Sequence, residues 1–160
     1  PGTVAGFYDP NTFAFSNARY NEIIDDFNSF QKVVMTIRQG RPFNILLTVS
    51  PVPLTATASG SHVLASSTYS KSVLRAVAGD LCSECKHIDY FPSYEIITNP
   101  RLHSSAFANN LRSVREESVR TVMRHFFAEH PIVMTSRSKT DEDKSLADVQ
   151  CEDELLEAFS

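Results

Sequence analysis

The sequence predicts an α/β domain built on a parallel sheet, with only part of that sheet inside these 160 residues. Three observations predict it. Residues 44–49 (NILLTV) form a nearly continuous apolar run, as expected of a strand covered on both faces. Helical and extended patterns then alternate as helix, strand, helix, strand, helix, an order that implies right-handed crossovers and parallel strands. Finally, two strands cannot cover the apolar faces of three helices. The expectation is therefore the C-terminal part of a larger domain, with further strands supplied from elsewhere.

Each element has its own justification. Residues 1–17 are rich in Gly, Pro, Asn and aromatics and read as loop, with Tyr8-Asp9-Pro10-Asn11 as a turn. Residues 18–39 form the clearest helix. Ile23, Phe27, Phe30, Val34 and Ile37 recur at spacings of four and three and share one face. Asn17 is the expected cap, and Gly40 with Pro42 the stop. Pro51 and Pro53 end the strand at 44–49, because proline cannot donate to a ladder. Residues 54–68 read as a long polar connection, the kind that often carries function; a short extra strand fits residues 62–65. A second helix spans residues 69–86, with Val73, Leu74, Val77 and Leu81 buried and Ser67 or Thr68 as cap. Residues 87–91 (HIDYF) form the second strand. Residues 94–98 fit either an extended or a helical segment, and 99–112 a loop. The third helix covers residues 114–129, with Val119, Val122, Met123 and Phe126 on one face and a capping box from Ser113 to Glu116. Residues 132–150 are polar and mobile in this reading, and 151–160 a short amphipathic helix.

Bulk composition narrows the function classes. A hydrophobic share of 42% and a charged share of 21% are ordinary for a globular protein. The formal net charge of −4 argues against nucleic acid as the main partner, since phosphate binding leans on a basic surface. No apolar run approaches the roughly 20 residues that span a bilayer. Three cysteines, Cys82, Cys85 and Cys151, do not make a secreted disulfide framework and point to a reducing, cytoplasmic setting.

Ligands of open α/β sheets bind beyond the carboxyl ends of the strands. Three loops lie there: residues 50–67, 91–95 and 99–113. They nominate Ser50, and His62 as a base or substrate contact, with a plain surface histidine as the alternative. Ser50 or Ser70 as an activated nucleophile competes with backbone-satisfying roles. Lys71 and Arg75, four apart, share a helix face and suit an anion or a pairing with Glu95, against the alternative of a solvated basic face. Cys82-Ser83-Glu84-Cys85 has CxxC spacing but sits near a helix C-terminus, the wrong end to activate a thiol. No metal or other cofactor is expected: there is no glycine-rich phosphate loop, no GxSxG elbow and no HExxH motif.

The segments Leu47-Thr48-Val49-Ser50-Pro51-Val52-Pro53-Leu54, Tyr69-Ser70-Lys71-Ser72-Val73-Leu74-Arg75 and Asp89-Tyr90-Phe91-Pro92-Ser93-Tyr94-Glu95-Ile96 together resemble the GSCFA family. These are bacterial proteins related to the SGNH (GDSL-like) hydrolases. Pro1-Gly2-Thr3-Val4-Ala5-Gly6, Tyr8-Asp9 and Asn110-Leu111-Arg112-Ser113-Val114 add to the likeness, which runs to about residue 131. The resemblance implies a flavodoxin-like three-layer α/β/α fold, with residues 1–131 as the C-terminal part of a GSCFA-type domain. It also implies that the nucleophilic serine belongs to the Gly-Ser-Cys-Phe-Ala motif, which these residues do not contain. An SGNH Asp-x-x-His block corresponds here to Asn110-Leu111-Arg112-Ser113, so Asn and Ser stand in place of Asp and the imidazole base. Together with the strand-end loops, this makes Ser50, Lys71, Arg75, Glu95, Asn110 and Arg112 the substrate-binding candidates, with His62 the leading replacement base. Two functions follow as expectations. One is an esterase or O-acyl transferring enzyme acting on a small-molecule or carbohydrate ester; the other is a non-catalytic carbohydrate- or protein-binding module. Self-association through an exposed sheet edge is a further expectation.

Overall fold

The computed structural model describes residues 9–101 and 103–130. The mobile segment expected at 132–150 and the short helix expected at 151–160 lie outside the described residues. The elements run α1 (Tyr20–Ile37), β1 (Ile45–Leu47), α2 (Val63–Glu84), β2 (Ile88–Tyr90), α3 (Ser93–Thr98), α4 (His103–Ala106) and α5 (Glu116–Glu129).

The α/β class and the parallel pairing are as the sequence predicts. β1 and β2 pair in parallel, with Ile45 opposite Ile88 and Leu47 opposite Tyr90. Among the described residues the sheet has two strands. A complete three-layer flavodoxin-like sandwich is not present in them.

Two apolar clusters organise the chain. In the first, Val77 and Leu81 of α2 pack on Ile88 of β2, and Ile23, Ile24 and Phe27 of α1 close over them with Ile45 and Leu47. Leu81 and Ile88 retain 3% and 2% of their exposure, so each contributes roughly 1.5–3 kcal/mol of burial. In the second, Ile97 of α3, Ala106 and Phe107 pack on Val122 of α5, with Phe91 and Ile96 against them. Phe91 links this cluster to the end of β2, and its ring meets Phe126 edge-on at 5.3 Å.

Several sequence expectations change. β1 is not covered on both faces: Leu46 remains 41% exposed, because side chains alternate and only Ile45 and Leu47 face α1 and α2. On α1, Phe30 and Ile37 are exposed, and the covered stripe is Ile23, Ile24, Phe27 and Val34. Leu74, Val119 and Met123 are likewise exposed rather than core. Asn17 is not the α1 cap. That position is Arg19, whose backbone N–H donates to Glu22 Oε2 at 2.7 Å. The helix stops in a Schellman motif in which Gly40 N–H donates to Met35 O and Gln39 N–H to Thr36 O. Gln39, at φ 55°, takes the left-handed position, and Gly40 at φ 75° follows it.

The largest difference is the start of α2. It begins at Val63, so residues 63–68 are helix and neither loop nor extra strand. The cap is His62, whose Nδ1 accepts the Leu64 N–H at 3.2 Å, in place of Ser67 or Thr68. Residues 94–98 resolve as helix within α3. The 99–112 stretch contains α4 and an antiparallel bridge from Phe107 to Val114. Ser113 does not cap α5; it closes a local loop with Asn110, and Arg115 stands at the cap.

Candidate functional site

The carboxyl ends of β1 and β2 are tied together before their loops diverge. Thr48 Oγ1 donates to Phe91 O at 2.8 Å, and Ser93 Oγ donates to Val49 O at 3.1 Å. The two hydroxyls lie 2.6 Å apart. This latch sets the exit of each strand, and Pro51, Pro53 and Pro92 then prevent either strand from continuing.

Beyond the latch lies a cleft of about 370 Å³. The β1 exit loop contributes Pro51 and Pro53, and α2 contributes Leu64, Ser67, Thr68 and Lys71. Tyr94 and Thr98 come from α3, and Phe107 and Leu111 from the segment before α5. All three loops expected at the carboxyl ends of the strands therefore contribute to one cleft. A larger hollow of about 540 Å³ lies at Leu46, Asp89 and His125. Leu46 and Asp89 belong to the sheet face turned away from α1 and α2, so that hollow marks uncovered sheet. The cleft at the strand ends is the better candidate, because open parallel sheets bind ligands there.

The cleft's polar side chains are mostly committed. Thr68 Oγ1 donates to Leu64 O at 3.0 Å and Thr98 Oγ1 to Tyr94 O at 2.7 Å. Ser67, buried, accepts the Leu54 N–H at 3.3 Å and so holds the exit loop against α2. Lys71 is the single charged residue of the lining. It is partly buried, and loss of solvent pulls its ammonium below the ordinary lysine pKa.

One turn along α2, Arg75 belongs to a separate network. Its Nε donates to Glu95 Oε1 at 2.6 Å, and its guanidinium stacks 4.2 Å from the centre of the Tyr90 ring. Tyr90 OH donates to Glu95 Oε2 at 2.9 Å. Burial, and then the Glu95 hydrogen bond, push the Tyr90 phenol up to about 12. The hydrogen bond to Glu95 also raises the Arg75 pKa. The network joins α2, β2 and α3 and so fixes the cleft's walls relative to each other. Tyr90, Thr48 and Ser93 lie in the segments that resemble the family, but no site role was assigned to them from the sequence. A signal was present in Tyr90 and Glu95, which flank a proline turn at the end of a strand.

The other nominated residues stand around the cleft. Ser50 Oγ accepts the Val52 N–H at 3.3 Å, a local turn contact in an exposed position. His62 caps α2 and is not part of the cleft lining. With Nδ1 accepting a backbone hydrogen bond, the neutral ring carries its proton on Nε2 and presents a donor there. Asn110 Oδ1 accepts the N–H groups of Arg112 and Ser113, at 3.0 and 2.9 Å, while its Nδ2 donates to Ser113 Oγ at 2.8 Å. This staple holds Leu111 at φ 57° on the cleft rim. Arg112 is partly buried beside it.

Cys82 and Cys85 are free thiols at the C-terminal end of α2. Burial raises the Cys82 pKa, the direction opposite to activation. Among the described residues no group of His, Cys, Asp or Glu is arranged to hold a metal ion. No helix among them is long and apolar enough to cross a membrane.

Searches of the curated proteins and of the solved structures return no match to this chain. A family model does match, over residues 3–126, and its span takes in β1, its exit loop, α2, β2, α3 and nearly all of α5. On that match over most of its length, the chain belongs to the GSCFA family.

Proposed function

We propose that this chain forms the substrate-binding wall of an SGNH-like hydrolase acting on an ester or O-acyl group. The observation that carries the reading is the cleft itself. It lies beyond the carboxyl ends of two parallel strands and draws residues from all three loops that follow strands or precede α5. Membership of the GSCFA family fits a hydrolase-like protein.

The chemistry divides between what these residues supply and what they lack. Apolar walls from Pro51, Pro53, Leu64 and Phe107 exclude water from an acyl group, and Lys71 places positive charge beside it. The nucleophile belongs to the Gly-Ser-Cys-Phe-Ala motif, which does not occur in these 160 residues. Serine attack on the ester carbonyl releases the alcohol, and water then releases the acid. The nominated base, His62, stands at the cap of α2 two residues before Leu64, and among the described side chains no imidazole lines the cleft.

That last point favours a second reading, a binding module on the same fold. Asn110 and Ser113, which stand where an SGNH enzyme carries Asp and His, spend their hydrogen bonds on each other. The test joins this chain to a family segment bearing the Gly-Ser-Cys-Phe-Ala motif and measures release of p-nitrophenol from short-chain p-nitrophenyl esters. Turnover that disappears when the motif serine becomes alanine supports the hydrolase. Carbohydrate binding with no serine-dependent turnover supports the binding module and sinks the first reading.

A further inference from the structure

We propose that the cleft binds a carboxylate ligand with an apolar tail, held by the Lys71 ammonium and the Tyr94 hydroxyl while Pro51, Leu64, Phe107 and Leu111 cover the tail. The proposal names the ligand class of the hydrolase cleft described above, and its link to turnover rests on that reading.

The hydrogen-bond inventory of the lining leads to this ligand. Thr68 and Thr98 have already given their hydroxyl protons to backbone carbonyls of their own helices. Ser67 receives a backbone N–H. Two donors remain. Among the described residues, neither the Lys71 ammonium nor the Tyr94 hydroxyl has an intramolecular hydrogen bond or ion pair. A partly desolvated cation without a counter-ion is costly, and an incoming anion removes that cost.

The charge count limits the anion. Lys71 is alone in the lining, and the nearest cation on the same helix face, Arg75, is already neutralised by Glu95 at 2.6 Å. A monoanion is matched by one lysine, whereas a phosphate dianion would bring an uncompensated charge into a largely apolar cleft. The remaining lining is proline, leucine and phenylalanine, with Leu111 held on the rim at φ 57° by the Asn110 staple. An alkyl or aryl tail matches those walls, and a polyhydroxylated ligand would find few free partners.

The test is calorimetric titration of the 160-residue chain with sodium octanoate, 1-octanol and octyl phosphate. Octanoate is expected to bind at a single saturable site, about tenfold or more tighter than 1-octanol, because a charge-assisted hydrogen bond separates them. Lys71→Met, checked for native circular dichroism, is expected to bring its octanoate affinity down to its own 1-octanol affinity. In the wild-type chain octanoate is expected to shift the amide resonances of Lys71, Tyr94 and Leu111. This readout stands even if Lys71→Met fails to fold. Equal affinity for octanoate and 1-octanol, tighter binding of octyl phosphate, or resonance shifts confined to other residues would each overturn the proposal. Octanoate binding by this chain, with no serine-dependent ester turnover once it is joined to the motif-bearing segment, would sink the hydrolase reading and leave the ligand class standing.

Discussion

Replacing Glu95 with alanine tests whether the Arg75–Tyr90–Glu95 network holds the cleft walls in place. The Arg75 and Glu95 side chains are 43% and 40% exposed, so solvent screens their ion pair to about 0.5–1 kcal/mol. The Tyr90 hydroxyl donates to a charged acceptor in a partly buried site, which adds about 1–1.5 kcal/mol. The expected loss is therefore about 1.5–2.5 kcal/mol, since both donors lose one shared acceptor. Tyr90→Phe removes only the hydroxyl and keeps the ring under the Arg75 guanidinium, so about 1 kcal/mol is expected. Urea unfolding of the wild type, both single variants and the double variant yields the coupling energy. About 1 kcal/mol of coupling is expected, because the hydroxyl has nothing to donate to once Glu95 is gone. Additive single variants, or a Glu95→Ala cost below about 0.5 kcal/mol, would refute the network as a structural unit.

Two further predictions concern neighbouring groups. The Tyr90 phenol is raised to about 12 from an ordinary value of 10.0, so its neutral form is favoured in the folded state. Its contribution is complete below pH 10 and is lost as pH climbs towards 12; after allowance for solvent, the wild type should lose on the order of 1 kcal/mol more than Tyr90→Phe over that window. Parallel stability curves for the two proteins would contradict this. Asn110→Ala removes the acceptor of two backbone N–H groups and should cost about 1–2 kcal/mol, with faster hydrogen exchange at Arg112 and Ser113. Unchanged exchange at those two amides would show that the staple does not hold the rim.

The strands and their parallel pairing were legible because apolar runs ended by Pro51 and Pro92 have few other readings. The start of α2 was not. Ser66, Ser67 and Thr68 look like loop because such side chains compete for backbone groups outside helices. Here Thr68 folds its hydroxyl back onto Leu64 O and Ser67 spends its oxygen on Leu54 N–H, so that competition is settled in favour of the helix. His62 then caps with a ring nitrogen, a role its residue type rarely advertises. Ser113 failed in the opposite way: its spacing to Glu116 spells a capping box, but Asn110, three residues earlier, takes its hydroxyl first. At the site, the spacing of Lys71 and Arg75 placed both on one helix face. It could not say that Glu95 would engage Arg75 and leave Lys71 to the cleft, because that division depends on how α3 docks.

The brevity of β1 and β2 has a consequence for how the domain assembles. Their partners are far apart in sequence, Ile45 against Ile88, so pairing closes a long loop at an entropic cost of about 3 kcal/mol before any constant term. The ladder returns little, since it contains bonds such as Ile45 N–H to His87 O and Phe91 N–H to Leu47 O over two three-residue strands. The deficit is met by the crossover helix, whose Val77 and Leu81 bury Ile88 and bring the strands into register. The pairing of β1 with β2 thus leans on α2: without Val77 and Leu81 against Ile88, the short ladder loses the burial that offsets its loop closure.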